Sequence, residues 1–276
     1  MADRDPPGRT QLGLYHQRRR RWHLLAGLAW LVAAAPAAAD VPVDLELVLA
    51  VDVSGSIDAE EARQQREGYV AALADQAVVD AIRSNFHRRI AVTYMEWASG
   101  DFQKVVIGWS LIEDMRSAEN FAAQLAAAPR RSARWTSISS AIDAAVPLFD
   151  GNGYAGERLV IDISGDGPNN RGRPVRFARD DAVAKGIVIN GLPILNDRPQ
   201  PFDMPTPVEL DLTGYYIEQV IGGPGSFVLP AQDFLDFRSA ILTKLIREIA
   251  GDERPQRYTK AAPERSIAGS ASFSVQ

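Results

Sequence analysis

Cysteine is absent from the 276 residues, and histidine occurs only three times. The lack of thiols excludes disulfide bonds, cysteine-ligated zinc, iron–sulfur clusters and thiol catalysis. His16 and His23 lie within the segment 1–39, which we expect to be removed, so His87 is the single imidazole of the expected mature chain. We predict that His87 lies at a helix end near the start of a strand, away from the serines described below. A Ser-His-Asp triad is therefore not expected.

Two glycine-containing enzyme motifs are also missing. The chain has neither the Gly-x-Ser-x-Gly nucleophile turn of α/β-hydrolases nor the Gly-x4-Gly-Lys-[Ser/Thr] loop that binds nucleotide phosphates.

Positive charge is scarce after the segment 1–39. That segment holds six arginines and two acids, whereas the rest of the chain has 24 basic and 33 acidic residues. We therefore expect no nucleic-acid partner, since such binding depends on neutralising phosphates.

The segment 1–39 has the pattern of a signal peptide. Arg18–Arg21 is positively charged, Leu24–Ala35 is a continuous apolar run, and Ala37–Ala39 offers small residues before Asp40. An apolar run of that length is short for a membrane helix, which needs about 20 residues. We expect export to the periplasm or beyond, with an uncleaved membrane anchor as the alternative.

Apolar runs alternate with helical patterns over residues 40–250, which predicts one doubly wound α/β domain followed by a flexible tail over 251–276. A single helix is expected from Asp58 to Ser84, and two strands joined by a short turn at Ser99–Asp101 are expected to form a hairpin. The predicted strands are Leu45–Val53, Arg89–Trp97, Gln103–Trp109, Arg158–Ile163, Ile187–Leu195 and Ser226–Leu229.

Oxygen-bearing side chains gather where predicted strands end. Asp52, Ser54 and Ser56 form the pattern Asp-x-Ser-x-Ser, Asp166 follows a later strand, and Thr136 precedes a helix. Residues two apart in an extended segment point the same way, so the first three can converge. Carboxylate and hydroxyl oxygens suit hard cations, Mg²⁺ first and Mn²⁺ next. Because three of the five groups are neutral, we expect a bound cation to attract a further anion from outside.

The alternative to metal binding for the two serines is a purely structural role as turn and helix-cap residues. We interpret Asp58 as a helix cap, with Glu61 completing a capping box. Asp162 lies inside a strand, where we expect it at an edge or behind the site rather than among the ligands.

These residues resemble the von Willebrand factor type A (vWA) domain, whose metal-ion-dependent adhesion site uses Asp-x-Ser-x-Ser with a distant Thr and a distant Asp. Trp135 stands where that family usually has glycine. More narrowly, Ile163–Asn170 and Val220–Gly225 resemble an exported bacterial subgroup, the domain of unknown function 1194 family. The resemblance implies a mostly parallel six-stranded sheet with one antiparallel edge strand. The ligands that it implies are Ser54, Ser56 and Thr136 directly, with Asp52 and Asp166 bound directly or through water.

The resulting expectation is a non-enzymatic, exported module that binds Mg²⁺ or Mn²⁺ and, through it, an Asp or Glu of a protein partner. The alternative is an exported Mg²⁺-dependent hydrolase with Asp52 as nucleophile and Asp166 beside the metal. The loops expected to form the rim of the site, and so to select the partner, are Trp97–Phe102, Arg130–Trp135, Pro168–Arg173 and Asn196–Thr206.

Overall fold

A computed structural model describes residues 39–195, 211–233 and 236–251 of the chain. The expected signal peptide, the rim loop Asn196–Thr206 and the tail beyond Gly251 lie outside these ranges. The strands are β1 Val41–Val43, β2 Leu45–Asp52, β3 Ile90–Trp97, β4 Gln103–Ile112, β5 Tyr154–Gly156, β6 Leu159–Gly165 and β7 Ile187–Pro193. The helices are α1 Ala59–Leu73, α2 Gln76–Ser84, α3 Met115–Ala127, α4 Ile138–Ala145, α5 Val175–Val183, α6 Leu212–Tyr215 and α7 Phe237–Ala250.

Five strands form the central sheet in the order β4-β3-β2-β6-β7. All neighbours are parallel except β3 and β4, which form the expected antiparallel hairpin at one edge. The carboxyl ends of β2 and β6 therefore lie at one edge of the sheet, where α/β proteins bind ligands. The α/β class and the mostly parallel sheet with one antiparallel edge strand are confirmed.

Helices cover both faces of the sheet because β2 is apolar on both sides. Leu47 and Leu49 pack in one core with α1, α2, α3 and α7, whereas Val48 and Ala50 pack in a second core with α4 and α5. Every residue of β2 is buried, as expected for the central strand of a sheet covered on both faces. This burial fixes the position of Asp52, the last residue of β2.

Two elements differ from the sequence prediction. The helix expected over Asp58–Ser84 is two helices, because Asp75 adopts an extended conformation and its carboxylate accepts a hydrogen bond from Ala77 N at 2.9 Å, capping α2. The sixth strand expected at Ser226–Leu229 is not a continuous strand. It makes a single bridge to β7 between Val228 and Gly191, and Pro230, which lacks an N–H group, follows directly.

The amino edge of the sheet, opposite the carboxyl ends, holds both ends of the described domain. There β1 pairs with β5 in a separate two-stranded parallel sheet that the sequence did not predict. Arg158, the residue before β6, donates hydrogen bonds to the carbonyl oxygens of Glu248 and Ile249 at the end of α7, at 2.7 and 2.9 Å. In the described ranges, no helix combines the length and apolarity that a membrane crossing requires.

Candidate metal centre

The Asp-x-Ser-x-Ser segment turns sharply at the end of β2. The Oδ1 atom of Asp52 accepts a hydrogen bond from the backbone N–H of Ser54 at 2.7 Å, and the hydroxyls of Ser54 and Ser56 lie 3.0 Å apart. Asp58 then begins α1 with the expected capping box, in which its carboxylate accepts from Glu61 N and Glu61 accepts from Asp58 N. Helix α1 thus has its own cap, and the two serine hydroxyls are not needed for that purpose.

The other two predicted residues join this segment across the carboxyl edge. Ser56 Oγ donates to Asp166 Oδ1 at 2.7 Å, and Thr136 Oγ1 donates to Ser54 Oγ at 3.4 Å. The structure therefore brings all five predicted residues together, although 110 positions separate Ser56 from Asp166. Four of them, Asp52, Ser54, Thr136 and Asp166, are buried, so their polar atoms need partners inside the protein.

Thr136 is held in place by residues that the sequence analysis did not identify. Its backbone N–H donates to Asn170 Oδ1 and its carbonyl accepts from Asn170 N, both at 2.9 Å. The next residue, Ser137, donates its N–H to the carbonyl of Ala98 at 2.7 Å. Asn170 lies within the expected rim loop Pro168–Arg173, but an asparagine in a polar loop carries no sequence signal of such a role.

Asp52 is the residue whose environment most needs an additional partner. It is fully buried, and its Oδ2 atom has no hydrogen-bond partner among the described residues. Burial raises the pKa of Asp52 well above its usual range, and the nearby charge of Asp166 raises it further, whereas the hydrogen bonds with Ser54 lower it. A bound cation would satisfy the unpartnered oxygen and offset the repulsion between the two carboxylates, so these residues fit a metal site.

The approach of β6 to Asp52 is close enough to require glycine at position 165. A Cβ atom on Gly165 would lie 2.9 Å from Asp52 Oδ2 and 3.0 Å from the hydroxyl oxygen of Tyr216. The Tyr216 hydroxyl also lies 3.4 Å from the Gly165 carbonyl, to which it donates. Any larger residue at this position would displace the Asp52 carboxylate.

Asp162 lies neither at an edge of the sheet nor behind the site, because it is buried in the core between β6 and α7. Its carboxylate pairs with Lys244 of α7 at 2.6 Å, and Lys244 also pairs with Glu248 one turn further along the helix. All three side chains are buried. The signal that could have identified this cluster is the pair Lys244 and Glu248, two charged residues on the otherwise apolar face of an amphipathic helix.

His87 is half-buried, and its Nε2 lies 3.2 Å from Glu157 Oε1 at the amino edge. Leu45 pairs with Ile90 at the start of β3, which puts His87 at the opposite end of the parallel strands from Asp52. The described residues contain no group of three or more His, Asp or Glu side chains arranged to hold a metal. The candidate site depends instead on two carboxylates and three hydroxyls.

A family model described as "Protein of unknown function (DUF1194)" matches residues 42–253, most of the chain. No curated protein matches the amino-acid sequence of this chain.

Solved structures with a similar fold include proximal thread matrix protein 1 from the mussel byssus, with a TM-score of 0.56, 14% identity, and coverage of 76% of this chain and 49% of that chain. Another structure of that protein, described as having a zinc-occupied MIDAS motif, has a TM-score of 0.54 and 14% identity, with coverage of 76% of this chain and 49% of that chain. The von Willebrand factor type A protein from Catenulispora acidiphila has a TM-score of 0.51 and 11% identity, with coverage of 75% of this chain and 43% of that chain. This chain thus spans about half the length of these proteins or less, and at such identities the likeness shows a vWA-like fold alone.

Proposed function

We propose, from the premise that this chain belongs to the family described as Protein of unknown function (DUF1194) and has a vWA-like fold, that it is an exported, non-enzymatic binding module. In this proposal Asp52, Ser54, Ser56, Thr136 and Asp166 hold one divalent cation. When bound, the cation offers a coordination position to an Asp or Glu side chain of a protein partner. The observation that carries the proposal is the buried Oδ2 of Asp52, unpartnered within the described ranges, beside a second carboxylate.

The chain's own residues account for the choice of cation. All five groups are oxygen donors, and the protein has no cysteine to favour a softer metal, so Mg²⁺ or Mn²⁺ is the proposed ion. The zinc-occupied MIDAS motif of the mussel protein supports a divalent cation in a protein of this fold. The Thr136–Asn170 contacts hold the threonine hydroxyl toward Ser54, so the set is ordered before any ion arrives.

Burial of Asp52 favours binding over catalysis. A nucleophilic carboxylate needs an oxygen that substrate can reach, whereas Asp52 is fully buried and hydrogen-bonded at Oδ1. A phosphatase assay on the purified protein, with and without Mg²⁺, tests the alternative Mg²⁺-dependent hydrolase. Turnover that depends on both Mg²⁺ and Asp52 would replace the binding proposal.

Calorimetric titration of metal-stripped protein with Mg²⁺ and Mn²⁺ tests the metal site. We expect one saturable site per chain with a dissociation constant below the millimolar range, and at least tenfold weaker binding by Asp52→Ala. Asp101→Asn is the matched control, because it removes an exposed carboxylate from a loop at the same edge and should leave the affinity unchanged. Equal affinities of the wild-type protein and Asp52→Ala would contradict the proposed site.

A pull-down from periplasmic extract, in Mg²⁺ and again in EDTA, tests the metal-bridged contact with a partner. We expect the partner to be recovered only with Mg²⁺. Recovery of the same proteins under both conditions would exclude the bridge.

A further inference from the structure

Trp135, the residue before Thr136, combines two unfavourable features. Its backbone lies in the left-handed region at φ 69°, which a bulky residue rarely adopts. Its side chain is 48% exposed, although tryptophan is mostly buried in folded proteins. Backbone strain of this kind persists only where the surrounding structure enforces it, and it is concentrated at functional sites.

Two loops joined by hydrogen bonds enforce the conformation. Thr136 and Asn170 exchange two hydrogen bonds, and Ser137 Oγ donates to the carbonyl of Arg171 at 3.1 Å. Gly172, at φ 82°, packs so closely that a Cβ atom would lie 2.6 Å from Ser139 Oγ. The loop that bears Trp135 is therefore fixed to the loop that bears Arg171.

Arg171 is exposed, and its guanidinium carbon lies 4.0 Å from the centre of the Trp135 ring. This cation–π contact orients the indole and covers part of it, while nearly half of the side chain still faces solvent. Tryptophan and arginine are among the residue types enriched in the side chains that dominate binding energy at protein interfaces. The pair stands directly beside a predicted metal ligand.

The surroundings of this pair are cationic, although the protein as a whole is acidic. Arg130, Arg131 and Arg134 are exposed, and none of them forms an ion pair with another residue in the part of the chain that the structure describes. An acidic segment would therefore be attracted to this rim and not to the rest of the surface.

We propose that the Trp135–Arg171 pair selects the partner: an acidic protein segment in which a large apolar side chain neighbours the carboxylate that binds the metal. The apolar side chain packs on the exposed part of the indole, and a further acidic residue pairs with Arg171. This inference rests on the proposed metal-dependent function and adds the chemistry of the partner's flanking residues.

A set of acetylated pentapeptides tests the selection. The peptides Gly-Gly-Asp-X-Gly and Gly-X-Asp-Gly-Gly, with X as Gly, Leu, Trp, Glu or Lys, are titrated into ¹⁵N-labelled full-length protein in Mg²⁺. We expect Leu and Trp at X to bind at least fivefold more tightly than Gly, Glu to bind more tightly than Gly, and Lys to bind more weakly than Gly. Trp135→Gly should abolish the advantage of Leu and Trp, and Arg171→Gln should abolish the advantage of Glu.

Trp135→Gly also serves as its own folding control, because glycine adopts a positive φ without strain. We expect this variant to bind Mg²⁺ with the wild-type affinity and to melt no lower than the wild-type protein. An unchanged rank order of X in Trp135→Gly overturns the inference and leaves the metal proposal standing. Absence of Mg²⁺-dependent binding by every peptide, in protein that binds Mg²⁺, overturns it too, whereas failure to bind Mg²⁺ at all refutes the proposed function itself.

Discussion

Asp52 places a buried carboxylate next to Asp166, and in metal-free protein this arrangement opposes folding. The charge is removed from water, one oxygen has no partner among the residues that the structure describes, and the neighbouring charge has the same sign. Each of these effects disfavours the ionised form that a cation requires. Under the proposed function, the site gives up stability without metal in return for binding the cation.

Asp52→Asn should reverse this balance. The amide keeps the oxygen that accepts from Ser54 but removes the charge, so we expect the free energy of unfolding of metal-free protein at pH 7 to rise by about 1–2 kcal/mol. Urea denaturation in EDTA measures the change. In Mg²⁺ the wild-type protein should gain stability and the variant should not, because only binding to the folded state shifts the equilibrium.

Asp101→Asn again provides the comparison for that experiment. It should change the unfolding free energy very little in either buffer, since Asp101 is exposed. A metal-free Asp52→Asn protein that is less stable than the wild-type protein would show instead that the carboxylate stabilises the metal-free fold.

Residue spacing predicted the five members of the site but not the residues that orient them. Asp52, Ser54 and Ser56 lie two positions apart at the end of an apolar run, a local pattern that can be read directly. Asn170 acts through backbone contacts with a loop 34 positions away, and such contacts exist only after folding. The same holds for Lys244, whose partner Asp162 lies on a different element.

At the scale of elements, α7 is attached to the sheet by charge as well as by apolar packing. Lys244 lies between Asp162 of β6 and Glu248 of its own helix, so the buried cluster has one more acid than base. Burial raises the pKa of Asp162 to about 7, Lys244 opposes the rise, and Glu248 adds to it. The folded protein thus takes up a proton at Asp162 at a higher pH than the unfolded chain does.

The sign of the resulting pH dependence follows from linkage. Between about pH 4 and pH 7 the folded state binds more protons than the unfolded state at this position, so the contribution of Asp162 to stability falls as the pH rises. In Asp162→Asn the side chain at this position does not take up a proton over this pH range. We expect the wild-type protein to lose stability relative to this variant, by on the order of 2–4 kcal/mol, from pH 4 to pH 7.

Denaturation of both proteins across this pH range measures the difference, with Asp101→Asn as the exposed control. Parallel stability curves for the wild-type protein and Asp162→Asn would contradict the expected titration. Because buried acids outside this cluster are common to both proteins and distant from Asp162, their effects cancel in the comparison.

Short elements and interruptions were the parts of the fold that sequence reasoning missed. β1 and β5 have three residues each and form because their neighbours bring them together, so no periodic pattern marks them. Asp75 interrupts a pattern that remains helical on both sides, which hid the boundary between α1 and α2. The long apolar strands were predicted correctly because burial on both faces demands continuous apolar runs.

At the scale of the whole molecule, the cationic rim of the site contrasts with the acidic remainder of the protein. Reversal of charge in Arg131→Glu with Arg134→Glu should slow association with the partner recovered in Mg²⁺ by about tenfold at low salt, and by less at physiological salt, because ions screen the attraction. Mg²⁺ affinity and melting temperature should stay nearly the same. Surface plasmon resonance at two salt concentrations measures the effect.

The matched control reverses two charges far from the rim, in Arg83→Glu with Arg88→Glu at the amino edge. If the rim variant associates as fast as this control at both salt concentrations, the arginines serve only to keep the loop soluble.

The position of the two domain ends has a mechanical consequence. β1 and the end of α7 both lie at the amino edge, while the candidate site lies at the carboxyl edge, where β2 ends at Asp52. A tensile load between a bound partner and a tether before β1 is therefore carried by the covalent backbone of β2. A load toward a tether after α7 must instead pass from β2 to its parallel neighbour β6, whose first residues are linked to the end of α7 through Arg158. The hydrogen bonds between β2 and β6 are then loaded together in shear and not opened one after another.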